Sequence, residues 1–142
     1  MPIRTGVFVR RRATSGGTIT LTTITIGDSE VSPDNALCDF TLGTTGGITY
    51  TGEDLTLAPS TWGTGVAGAD YEARMTTISG TLSAGSAATA TWLVLSTARI
   101  WKRNRTSNVS GTDTYSGTLE IRDVATQTVQ ASVTATISAT VI

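Results

Sequence analysis

A chain of 142 residues that is 39% hydrophobic and carries a single cysteine is long enough to bury its own core as one domain, without an internal disulfide. Only 15% of its residues are charged, its net charge is −1 and it has no histidine, so the commonest general base is missing and the balance argues against a strongly basic nucleic-acid binder. No run approaches the roughly 18 apolar residues of a membrane helix, and Met1-Pro-Ile-Arg4 lacks the apolar segment of a secretory signal, so the expected compartment is a cytosol without membrane partners.

Thr and Ser take the place of the missing charges. β-branched Thr suits a pleated surface better than a helix interior, and short alternating runs recur along the chain. In order, strands are expected near Gly6–Arg11, Thr18–Ile26, Ala36–Leu42, Ile48–Thr51, Tyr71–Ile78, Thr91–Leu95, Arg99–Lys102, Tyr115–Arg122 and Val129–Val141. Within Thr18–Ile26 the phase slips, since Ile19 and Leu21 share one face and Ile24 and Ile26 the other. A bulge at Thr22–Thr23, or a strand crossing between sheets, would produce this. Gly-rich turns are expected at Ser15–Gly17, Gly43–Gly47 and Ser83–Ala88. The clearest signal is C-terminal, where Val129, Ala131, Val133, Ala135, Ile137, Ala139 and Val141 alternate with Gln, Ser and Thr, a half-buried strand that pairs antiparallel with the Gly117–Arg122 run before it. No 3.6-residue period competes. The pattern predicts an all-β fold, a two-layer antiparallel β-sandwich of Ig-like or jelly-roll-like type with eight or nine short strands, spanning residues 1–142, with residues 1–17 a candidate extended basic arm.

Candidate chemistry is sparse. Ser and Thr are abundant but lack an activating partner, and the carboxylates Asp28, Glu30, Asp34, Glu53 and Asp54 match no calcium-loop spacing, so neither catalysis nor a cofactor or metal is expected. Cys38 is in phase with Ala36, Phe40 and Leu42 and reads as a small core residue. The charge is polarised. Arg4, Arg10, Arg11 and Arg12 form a basic N-terminal segment, and Arg99, Lys102, Arg103 and Arg105 a second, while Asp28 to Glu72 holds eight of the eleven acids and no base. Two readings are open, solvated charged faces and charge complementarity between copies with Arg10, Arg11 and Arg12 as its contacts, while direct nucleic-acid binding is not expected. Among the aromatics, Trp92 alternates with Ala90 and Val94 as a core residue would. Trp101 follows Ile100, which reads as inward, and so becomes a candidate interface residue. Trp62 lies in the long irregular stretch Gly52–Gly68. Two roles are open to it: contact with a partner or glycan, and sealing one end of the fold.

The segments Gly6-Val-Phe-Val-Arg-Arg-Arg12, Thr23-Ile-Thr-Ile-Gly-Asp28 and Gly117-Thr-Leu-Glu-Ile-Arg-Asp-Val-Ala-Thr126 resemble parts of small Thr/Ser/Gly-rich virion-associated proteins of tailed bacteriophages. That resemblance covers about half the chain and carries over no site residue. It implies a non-enzymatic structural protein, folded in the host cytoplasm and built into the virion in several copies. The expected place is the tail, at its tip, fibre or surface. Capsid decoration and a carbohydrate- or receptor-binding tail module are the alternatives. Its expected partners are copies of itself, other virion proteins and a host surface glycan.

Overall fold

The computed structural model describes residues 18–34, 36–51, 54–55, 62–86, 90–105 and 109–142. The expected strand Gly6–Arg11, the basic arm with Arg10, Arg11 and Arg12, and most of the stretch Gly52–Gly68 lie outside the described residues.

Among the described residues the chain is almost entirely β. Twelve strands follow in order: β1 Thr18–Ile19, β2 Ile24–Glu30, β3 Leu37–Leu42, β4 Ile48–Thr51, β5 Asp54–Leu55, β6 Gly63–Thr64, β7 Tyr71–Gly80, β8 Ser83–Ser86, β9 Leu93–Val94, β10 Arg99–Asn104, β11 Gly111–Asp123 and β12 Val129–Val141. One 3-10 turn, Gly68–Asp70, precedes β7. The strands form a six-stranded sheet in the order β5-β2-β12-β11-β7-β9, a four-stranded sheet β4-β3-β10-β8 and a two-stranded ribbon β1-β6.

The period-two pattern places the core. On β12, Ala135, Ile137, Ala139 and Val141 are buried, while Thr134 and Thr136 opposite them are exposed. The hairpin predicted at the C-terminus is present. β11 and β12 pair antiparallel from Gly111↔Val141 to Arg122↔Val129, and the Asp123 N–H donates to the Thr128 carbonyl at 3.0 Å to close the turn. On the far side of β12, β2 pairs in parallel, Ala135↔Ile24 through Val141↔Glu30. The six-stranded sheet is therefore mixed, which corrects the fully antiparallel expectation. Hairpin length fixes the direction only of strands joined by a short turn, whereas β2 and β12 meet across most of the chain.

The phase slip in the Thr18–Ile26 run is a change of sheet. Ile19 pairs with Gly63 in the ribbon, residues 20–23 belong to no strand, and Ile24 and Ile26 then enter the six-stranded sheet, nearly fully buried. Another difference is Ser83–Ser86, expected as part of a turn, which forms β8 and pairs with β10. Small side chains gave that segment no alternation to read.

One hydrophobic cluster draws on both larger sheets: Ile24, Ile26, Met75, Leu119, Ile121 and Ile137 from the six-stranded sheet, and Cys38, Leu42, Ile48 and Trp101 from the four-stranded one. Cys38 is buried, as its phase predicted, with its thiol donating to the Ser138 carbonyl at 3.5 Å. The two sheets are joined by the chain, since β2 runs on into β3, and by the Asp28 carboxylate, which accepts the Leu37 N–H at 2.7 Å.

Candidate functional site

The three tryptophans, where a contact surface was sought, have different fates. Trp62 is wholly buried. Its indole N–H donates to the Gly43 carbonyl at 3.0 Å, and its ring meets Tyr71 edge-on, centroids 6.0 Å apart at 70°. Backbone bonds hold it on both sides: its N–H donates to the Gly46 carbonyl at 2.9 Å, and its carbonyl accepts the Thr20 N–H at 3.2 Å. Of the two roles left open by the sequence, the structure gives Trp62 that of sealing the core. A satisfied indole donor and no exposed area leave it nothing to offer a partner.

Trp101 is also wholly buried, whereas its neighbour Ile100 is 40% exposed. This corrects the candidate interface role. Alternation alone cannot say which of two adjacent apolar residues turns inward, and here the larger ring takes the core position, at the register Trp101↔Phe40.

Trp92, expected in the core, is only half-buried. Ala90, from which its phase was counted, has φ 61° and lies outside β9, so the count had no strand beneath it. The ring instead lies on the outer side of the six-stranded sheet, with the Arg74 guanidinium carbon 4.4 Å and the Arg122 guanidinium carbon 4.0 Å from its centroid. Strand register explains why both cations arrive there. Arg74 on β7 stands opposite Glu120 on β11, and Arg122 on β11 stands opposite Glu72 on β7. Each opposite-charge pair closes as an ion pair, Arg74 Nε to Glu120 Oε2 at 2.7 Å and Arg122 Nε to Glu72 Oε1 at 2.6 Å. Gln127, at φ 59° in the β11–β12 turn, donates from Nε2 to Glu72 Oε1 at 3.2 Å and to the Val124 carbonyl at 2.7 Å.

The result is a compact polar and aromatic cluster of two cations, two carboxylates, an amide and an indole. It joins β7, β11, the β11–β12 turn and the segment leading into β9. It leaves no mark in the sequence because its members lie far apart in the chain and only the β7–β11 register brings them together. Arg122→Ala is expected to cost about 2–3 kcal/mol, since it removes a charge-assisted hydrogen bond and a cation–π contact and leaves the buried Glu72, among the described residues, with the Gln127 amide as its side-chain partner. Urea denaturation of the purified variant checks this, and an unchanged midpoint would contradict it.

The other charged candidates are partly engaged within the chain. Asp28 and Glu72, at the two ends of the acidic region, are both buried. In the second basic segment, Arg99 Nε donates to the Val94 carbonyl at 3.1 Å and Arg105 Nε pairs with Asp113 at 3.0 Å. Among the described residues no group of three or more His, Cys, Asp or Glu side chains could hold a metal ion, and no helix is long and apolar enough to cross a membrane. Comparison with protein-family models, with curated proteins and with solved structures finds no match.

Proposed function

We propose that this chain is a non-enzymatic structural protein of a tailed-phage virion, a component of the tail tip, fibre or tail surface assembled in several copies on a two-layer β-sandwich. The observation that carries the proposal is the outer face of the six-stranded sheet. Across it run Ser116↔Thr136, Thr118↔Thr134, Thr118↔Thr76 and Thr112↔Thr140, the last with hydroxyl oxygens 2.9 Å apart. Where this face carries Arg74, Arg122, Glu72 and Glu120, the charges are paired across strands. A neutral hydroxyl-rich surface over a shared core suits a part that is made at high copy number, must not aggregate before assembly, and must then persist outside the cell. The core common to both larger sheets supports the sandwich arrangement. The resemblance to virion-associated proteins supports the location, and Arg10, Arg11 and Arg12 are the proposed contacts between copies.

A second reading, a receptor-binding tail module, is favoured by the half-buried Trp92 among polar groups. Electron microscopy of phage particles carrying the tagged protein tests the proposal. Regular density on the tail is the expected result. Density on the head lattice would make the protein a capsid decoration, and a particle lacking the tag altogether would overturn the virion assignment.

A further inference from the structure

We infer that the Arg74–Trp92–Arg122 cluster is a binding site for a sugar that carries a carboxylate, such as a uronic acid residue of a polysaccharide. The inference stands apart from where the protein is assembled, because it concerns what the isolated domain binds.

The donors come first. Each guanidinium meets its carboxylate through Nε, and the Nη groups of Arg74 and Arg122 make no hydrogen bond among the described residues. Both side chains are partly open to solvent, Arg74 at 31% and Arg122 at 21%. A guanidinium that keeps its Nη groups at the surface offers the paired N–H geometry that a carboxylate accepts in bidentate fashion. The structure already fixes each group, through an ion pair on one side and the indole on the other, so little side-chain freedom is lost on binding.

The remaining groups select the class of ligand. Two cations and two carboxylates leave the cluster without net charge, so it exerts no long-range pull on a polyanion. Recognition then rests on short-range contacts. Glu120, 19% exposed, can accept a hydroxyl, while the Trp92 ring is already engaged by the two guanidinium groups. Donors for one carboxylate and an acceptor for hydroxyls together match an acidic sugar. An acidic peptide would meet Glu72 and Glu120 without using the acceptor.

Tryptophan fluorescence tests the site directly, because Trp62 and Trp101 are wholly buried and Trp92 is the tryptophan that a ligand can reach. The purified full chain is titrated with an oligogalacturonate, with a neutral oligosaccharide of the same length and with an oligoglutamate. A saturable change in the millimolar range with the oligogalacturonate alone is expected. Arg74→Lys, which keeps the charge but loses the planar fork, is expected to weaken that binding about tenfold with the melting temperature close to that of the parent. Arg122→Lys is the second variant, with the same expected loss. No saturable response to the oligogalacturonate would overturn the proposal, as would an equal response to the neutral sugar. Tighter binding of oligoglutamate would reassign the site to acidic peptides, and unchanged affinity in Arg74→Lys would remove the guanidinium from it.

Discussion

Trp62→Ala is expected to lower the free energy of unfolding by about 3–5 kcal/mol, the range for removing a large aromatic side chain from a packed core. The side chain is wholly buried and its ring packs edge-on against Tyr71. The substitution empties that volume and strips the Gly43 carbonyl of its 3.0 Å donor. The backbone bonds of residue 62 to residue 20 before β2 and to residue 46 between β3 and β4 are kept by alanine, so the cost is that of the side chain. For a domain of this size the melting temperature should fall by roughly 10–20 °C. Trp62→Phe separates the two contributions. It keeps most of the aromatic volume but not the N–H, and should cost about 1–3 kcal/mol. Thermal melts of both variants check the expectation, and an Ala variant that melts with the parent chain would show that Trp62 does not seal the core.

Gly46→Ala is expected to be nearly as damaging, at about 2–5 kcal/mol, although it adds a single methyl group. Gly46 has φ +90°, which an L side chain adopts only with strain. A Cβ built there would lie 1.5 Å from the Gly63 carbonyl oxygen and 2.7 Å from its carbonyl carbon, so backbone of a different segment has to move. That movement breaks the bonds by which the Gly46 carbonyl accepts the N–H groups of Trp62 at 2.9 Å and Gly63 at 3.4 Å. Gly47→Ala is the control. Its added Cβ meets nothing within 4 Å, and the residue does not have a positive φ. The two variants differ by one position in the same turn, so denaturant midpoints that fall together would refute the close approach of the Gly43–Gly47 turn to β6.

What could be foreseen from the sequence follows the length of each element. β12 has thirteen residues and alternates throughout, and its antiparallel pairing with the Gly117–Arg122 run and the buried face of its C-terminal half, Ala135 to Val141, were legible. Ile48–Thr51 was legible to the residue, framed by the Gly43–Gly47 turn. The failures fall on short strands, where period two has too few residues to fix a phase. β9 has two residues, so nothing in the sequence assigned Trp92 to the outer face. β10 has six, with Ile100 and Trp101 adjacent, and the phase came out inverted. The parallel pairing of β2 with β12 was hidden for a different reason, since residues over 100 apart leave no turn to read. The candidate site was invisible on the same ground. Its cations stand far apart in the chain, and only the register sets Arg74 opposite Glu120 and Arg122 opposite Glu72.

The central feature of this fold is the division of its three tryptophans, two in the core and one on the outer cluster. Hydrogen exchange of the indole N–H groups, followed residue by residue by NMR, measures it most directly. The Trp62 indole N–H, buried and bonded to the Gly43 carbonyl, and that of the buried Trp101 should exchange only on opening of the core, orders of magnitude more slowly than an exposed indole. The indole of half-buried Trp92 should exchange fastest of the three. Fast exchange at Trp62 or Trp101 together with protection at Trp92 would contradict both the core and the candidate site described for this fold.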